Sequence, residues 1–116
     1  MTRSEKLLCL VYAIIAVIAL ITTWSNNLAF MAQPENQNIR SWIDALYVNH
    51  AAASFTNDLL MLGLAGCIFM AVEGWRLHMR FVWAYILLSG PTAISFTFPL
   101  FLIARQITLS RQLATK

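Results

Sequence analysis

The sequence predicts an all-α membrane protein with three transmembrane helices and a short amphipathic surface helix in the first loop. Three observations carry this. Hydrophobic residues make up 59% of the chain and charged residues 11%, against about 25% charged in ordinary soluble domains. The apolar residues fall in long runs and not in alternating stripes, which separates membrane helices from a soluble core. The polar stretch Pro34-Glu35-Asn36-Gln37-Asn38 is followed by a short segment of helical periodicity. At 116 residues the chain reads as a single integral membrane domain.

The first span is expected over about residues 5–24. Arg3 and Lys6 anchor its start and Trp24 suits the opposite interface. The run Leu7–Thr23 is longer than a signal-peptide core, and Trp24-Ser25-Asn26-Asn27 is no small-residue cleavage site, so the helix is read as retained. Ala13, Ala16 and Ala19 form a small-residue stripe on which a neighbouring helix can approach closely. Over residues 39–48, Ile39, Trp42, Ile43, Leu46 and Tyr47 recur at helical spacing with Arg40, Ser41 and Asp44 between them. That is the pattern of an amphipathic helix on a membrane surface, or capping a bundle. The second span is expected over 52–74, followed by a tight turn at Trp75–Arg80. The third is expected over 81–105, kinked at Gly90-Pro91 and disturbed again at Pro99, because proline removes a backbone donor and crowds the preceding turn.

Three spans put the two ends of the chain on opposite sides. Arg3, Lys6, Arg76 and Arg80 then share one side, and Arg40, Arg105, Arg111 and Lys116 share the other, which is a tie. Weighting the residues nearest the helices makes the Arg3 side cytoplasmic and the C-terminus opposite. The net charge of +3 is small and sits at helix ends, which suits lipid headgroups and excludes a nucleic-acid face.

Asp58 is the sharpest candidate residue, because a carboxylate inside a span is costly and functional by default. It shares a helix face with Glu73, but the two are roughly 22 Å apart along the axis, too far to share a proton. A third span running antiparallel to the second brings Asp58 level with Ser95–Thr97. Asp58, Ser95 and Thr97 are therefore expected to form an intramembrane polar packing contact. Ser89, Ala93 and Thr97 make a small-polar seam on the third span. Glu73 and Arg76 are expected to pair across one helical turn at the interfacial turn that also carries Arg80, with Arg105 at the other interface, and these arginines are expected to bind lipid headgroups. His50 and His78 fall at opposite interfaces and cannot share a metal. His50, at the head of a span, is the candidate axial ligand for a haem or chlorophyll in a pigment-binding alternative that would also admit a carotenoid. Cys9 and Cys67 sit in apolar runs and read as small buried hydrophobes. No motif for nucleophilic, metal or phosphate chemistry is present in the sequence, so a non-enzymatic role without a resident cofactor is expected.

The run Phe69-Met70-Ala71-Val72-Glu73-Gly74-Trp75-Arg76-Leu77-His78-Met79-Arg80 follows Asp58, and Ser95-Phe96-Thr97-Phe98-Pro99-Leu100-Phe101-Leu102-Ile103-Ala104-Arg105 closes the third apolar run. An early aspartate, a Glu-Gly-x-Arg turn and a Ser-x-x-x-Pro-Leu-Phe-Leu-x-x-Arg ending resemble the small three-helix bacterial membrane proteins grouped as domain of unknown function 2834. The resemblance spans about residues 49–105. It implies an integral membrane protein without an assigned activity and supplies no catalytic residues. It draws attention to Asp58, Glu73, Gly74, Arg76, Ser95, Pro99 and Arg105.

The resulting expectation is a non-catalytic accessory or assembly subunit of a larger membrane complex, such as an energy-transducing one. Its partners are the lipid bilayer and other membrane subunits, met through exposed helix faces and the amphipathic helix. The alternatives are a small transporter or ion-conducting oligomer using Asp58, and a haem- or pigment-binding anchor using His50. The Trp, Phe and Met content would also suit a quinone.

Overall fold

A computed structural model describes residues 2–36, 38–89 and 93–114. The described residues are all-helical: α1 (Arg3–Met31), α2 (Ile39–Leu46), α3 (His50–Arg76), α4 (Val82–Leu88) and α5 (Ile94–Ala114), with a 3-10 turn at Pro34–Asn36. Two helices, α1 and α3, are long and apolar enough to cross a membrane. The expected third span is instead divided into α4 and α5, and the anticipated kink at Gly90-Pro91 lies outside the described residues.

α1 starts at a reciprocal cap. The Glu5 N–H donates to Thr2 Oγ1 at 3.1 Å, and the Thr2 N–H donates to Glu5 Oε2 at 2.9 Å. It continues past Trp24 to Met31 because the polar residues there bond to the helix itself. Thr22 Oγ1 donates to the Ile18 carbonyl at 2.8 Å, and Asn26 Nδ2 donates to the Thr22 carbonyl at 2.7 Å. Such bonding lets Ser, Thr and Asn remain inside a helix. Ala16 is buried in the middle of the predicted alanine stripe, and the neighbour against which α1 packs most is α5.

α2 is capped by Asn38, whose Oδ1 accepts from the Ser41 N–H at 2.9 Å. It is pinned on both sides: Trp42 packs on Phe30 with centroids 4.6 Å apart, and Thr56 Oγ1 donates to the Leu46 carbonyl at 2.9 Å. Ile39 and Ile43 remain exposed, as an amphipathic segment facing an apolar surrounding would leave them. Asn49 caps α3 through the Ala52 N–H.

α3 ends in a Schellman arrangement. The Met79 N–H donates to the Gly74 carbonyl at 2.9 Å and the His78 N–H to the Trp75 carbonyl at 3.2 Å. The residue that takes the left-handed conformation is His78, with φ 55°, where glycine is usual. Phe81, at φ 59°, starts α4 in the same conformation. Gly74 permits the close return of α4, because a Cβ there would lie 2.8 Å from Val82 Cβ.

α4 and α5 form an antiparallel hairpin. Tyr85 packs edge-on against Phe101 at 5.8 Å, and Ser89 Oγ lies 2.9 Å from Thr97 Oγ1. Ser89 Oγ also lies within hydrogen-bond distance of the Tyr85 carbonyl, at 2.7 Å. α5 consequently runs parallel to α3, not antiparallel. The level of Gly66 meets Ile94 and Phe98, Phe69 meets Phe98 and Phe101, and Gln112 Nε2 donates to the Leu77 carbonyl at 2.8 Å.

This corrects the expected topology. The start of α1 and the end of α5 lie at the same end of the molecule, where Ser110 Oγ approaches Glu5 Oε2 at 3.5 Å. α5 is also the central element, contacting α1, α3 and α4. It buries Thr97, Pro99 and Phe101, and it passes through Pro99 and beyond Arg105 to Ala114.

Candidate functional site

The hairpin gathers charge at one end. Arg3, Lys6, Arg76, Arg80, Arg105 and Arg111 all lie there, while Arg40 alone among the described basic residues lies at the α2 end. The last turns of α3 and α5 bring the centre of this cluster together. Glu73 is buried, with 8% exposure. Arg76, one turn on, donates from Nε to Glu73 Oε1 at 3.0 Å and forms an ion pair with the same oxygen through Nη2. Arg105 arrives from α5 with its Nε 3.6 Å from that oxygen, an ion-pair distance too long for a hydrogen bond. Its guanidinium also lies 5.9 Å from the centroid of Phe69, within cation–π range. Phe98, Phe101 and Tyr85 extend the aromatic layer beneath it. One carboxylate thus pairs with two guanidiniums, of which Arg105 rests on the aromatic layer, and ties α3 to α5.

Arg80 falls outside this triad. It is exposed in the Leu77–Arg80 turn and lines a pocket of 430 Å³ with His78, Thr108, Arg111 and Gln112. The structure therefore joins Glu73 and Arg76 with Arg105, which the sequence placed at the opposite interface, and assigns Arg80 to a separate pocket. Thr108 and Gln112 were not singled out by sequence, and Arg111 entered only the charge count. Their signal is the helical spacing Ala104, Thr108, Arg111, which only matters once α5 is known to return to the charged end.

The intramembrane trio is not assembled. Thr97 is buried at 1% exposure, and its hydroxyl is used within the hairpin by Ser89 and the Ala93 carbonyl. Ser95 is exposed. Asp58 is exposed on α3 with no hydrogen bond or ion pair among the described residues, one turn or more above the level where α5 begins. The parallel course of α5 is the reason, since the expected register required an antiparallel one. A cleft of 520 Å³ occupies the space between α2 and the hairpin, lined by residues including Thr23, Asn27, Trp42, Leu59, Ser89 and Ser95. His50 is exposed at the head of α3, at the end opposite His78. Among the described residues no group of three or more His, Cys, Asp or Glu side chains is placed to hold a metal ion.

Fold and site together define a small helical protein with two helices of membrane-spanning length and a helical hairpin held by an arginine–glutamate cluster. A family profile, "Protein of unknown function DUF2834", matches residues 11–107. The chain belongs to this family, and the match takes in most of α1 as well as the segment that carried the resemblance. No curated protein and no solved structure matches the chain.

Proposed function

We propose that the protein is an integral membrane protein acting as a non-catalytic accessory or assembly subunit of a larger membrane complex. In this reading α1 and α3 span the bilayer, and the α4–α5 hairpin enters and leaves on one side. α4 has seven residues, a rise of about 10 Å, which is about a third of a 30 Å hydrocarbon layer. A reversal at that depth is tolerated where protein or a cavity surrounds it. The Ser89–Thr97 hydroxyl pair and the adjacent cleft offer that setting. The six basic residues at the charged end against Arg40 at the other favour a cytoplasmic location for that end.

The observation that carries the subunit reading is Asp58. Its carboxylate stands exposed, with no partner among the described residues, beside exposed Phe55, Leu59 and Leu62. A charge on an apolar helix face needs a cover of protein or headgroup, and a partner helix would provide one. Purification in mild detergent, with identification of whatever co-elutes, tests this. A stable partner that is lost in Asp58→Leu supports the reading, and recovery of the isolated chain alone counts against it.

The hairpin itself favours a second reading, a small transporter or ion-conducting oligomer, because interrupted helices inside a bilayer often frame ion paths. There the chain alone would sustain flux in reconstituted vesicles, and Asp58→Asn would abolish it.

A further inference from the structure

We propose that the pocket between the Leu77–Arg80 turn and the last turns of α5 binds a phosphate oxyanion, carried by a phospholipid headgroup or by a soluble phosphate. The pocket has a volume of 430 Å³, and its lining contains Arg80, Arg111 and His78 but no carboxylate. The nearby acids are already committed. Glu73 holds Arg76 and Arg105, and Glu5 accepts from the Thr2 N–H and faces Ser110. Arg80 and Arg111 are exposed and form no ion pair among the described residues.

The two arginines come from different elements and line one pocket, whose two walls are fixed to each other. Gln112 Nε2 clamps the end of α5 to the Leu77 carbonyl at 2.8 Å. The Schellman bonds from His78 and Met79 fix the turn that carries Arg80. Two helices end here with their carbonyls outward, which opposes an anion. Each contributes roughly half a negative charge, whereas each arginine contributes a full positive one, so the pocket remains electropositive. Arginine also matches phosphate geometry with paired donors.

The bland alternative is that Arg80 and Arg111 only offset the helix dipoles, and binding measurements separate the two. Purified full chain in a nonionic detergent is titrated with dihexanoyl phosphatidylglycerol, with dihexanoylglycerol as the phosphate-free control, and with inorganic phosphate, following tryptophan fluorescence. Saturable binding of phosphatidylglycerol but not of dihexanoylglycerol is expected. Arg80→Gln and Arg111→Gln should each weaken it about tenfold, the loss of one charge-assisted contact. Arg3→Gln and Arg40→Gln should leave it unchanged. Binding of the lipid well above that of inorganic phosphate assigns a headgroup, and equal affinity assigns a soluble phosphate. A double Arg80→Gln/Arg111→Gln variant that binds like wild type overturns the proposal. So does an equal loss in Arg3→Gln, which would reveal only a diffuse field. The substituted side chains are exposed, and an unchanged helical circular-dichroism spectrum confirms that each variant is folded.

Discussion

Gly74 is where the fold is least able to absorb a single atom. It sits at the third position from the end of α3, and α4 turns back across it at once. A Cβ there would lie 2.8 Å from Val82 Cβ and 3.3 Å from Val82 Cγ1. Valine is branched at Cβ and cannot swing these atoms away by a rotamer change, so the start of α4 must shift. Overpacking of this kind costs about 1–3 kcal/mol. Gly66 provides the internal control, because it lies in the same helix and its Cβ would meet Ile94 Cδ1 at 3.5 Å, an ordinary contact with a flexible tip. Both glycine-to-alanine changes gain about 0.5–1 kcal/mol in helix preference, and the gain cancels in the comparison. Gly74→Ala should therefore be less stable than Gly66→Ala by about 1–3 kcal/mol. Reversible unfolding in mixed detergent micelles, followed by circular dichroism, measures the difference. Val82→Ala removes the two Cγ methyls and should recover part of it, a coupling visible in the double mutant. Equal stabilities for the two alanine variants would refute the close α3–α4 return.

Glu73→Gln leaves the Arg105 guanidinium without its counter-charge and should cost about 1.5–3 kcal/mol. Adding Arg105→Met should restore most of it, since removing both partners of a buried pair is milder than removing one; the same unfolding assay reads both. His78→Gly relieves a left-handed residue at φ 55° and should stabilise the protein by about 1 kcal/mol. A destabilised glycine variant would mean that the histidine side chain contributes more than its backbone strain costs.

The helices themselves were legible because their signals are local. Long apolar runs marked α1 and α3, the spacing of Trp42, Leu46 and their neighbours marked α2, and the alanine stripe marked the position of buried Ala16 on α1. The direction of α5 was not legible by the same means. Residues 81–105 are long enough to span, so they read as one helix. What decides for the hairpin is non-local: Tyr85 on Phe101, Ser89 on Thr97, and Gln112 on Leu77. That one choice of direction governed most of the candidate site. It separated Asp58 from Ser95 and Thr97, brought Arg105 to Glu73, and made a pocket from Arg80 and Arg111. The pairing of Glu73 with Arg76 survived either choice because it spans a single helical turn.

The return of α5 to the start of α1 is tested most directly by side-specific labelling. In a background with Cys9 and Cys67 replaced by alanine, single cysteines at Thr2, Asn36 and Ala114 are exposed to a membrane-impermeant maleimide in right-side-out and inverted vesicles. The account predicts that Thr2→Cys and Ala114→Cys are labelled from the same side, and Asn36→Cys from the other. Labelling of Ala114→Cys together with Asn36→Cys would make residues 81–105 a full span and contradict the hairpin on which the site depends.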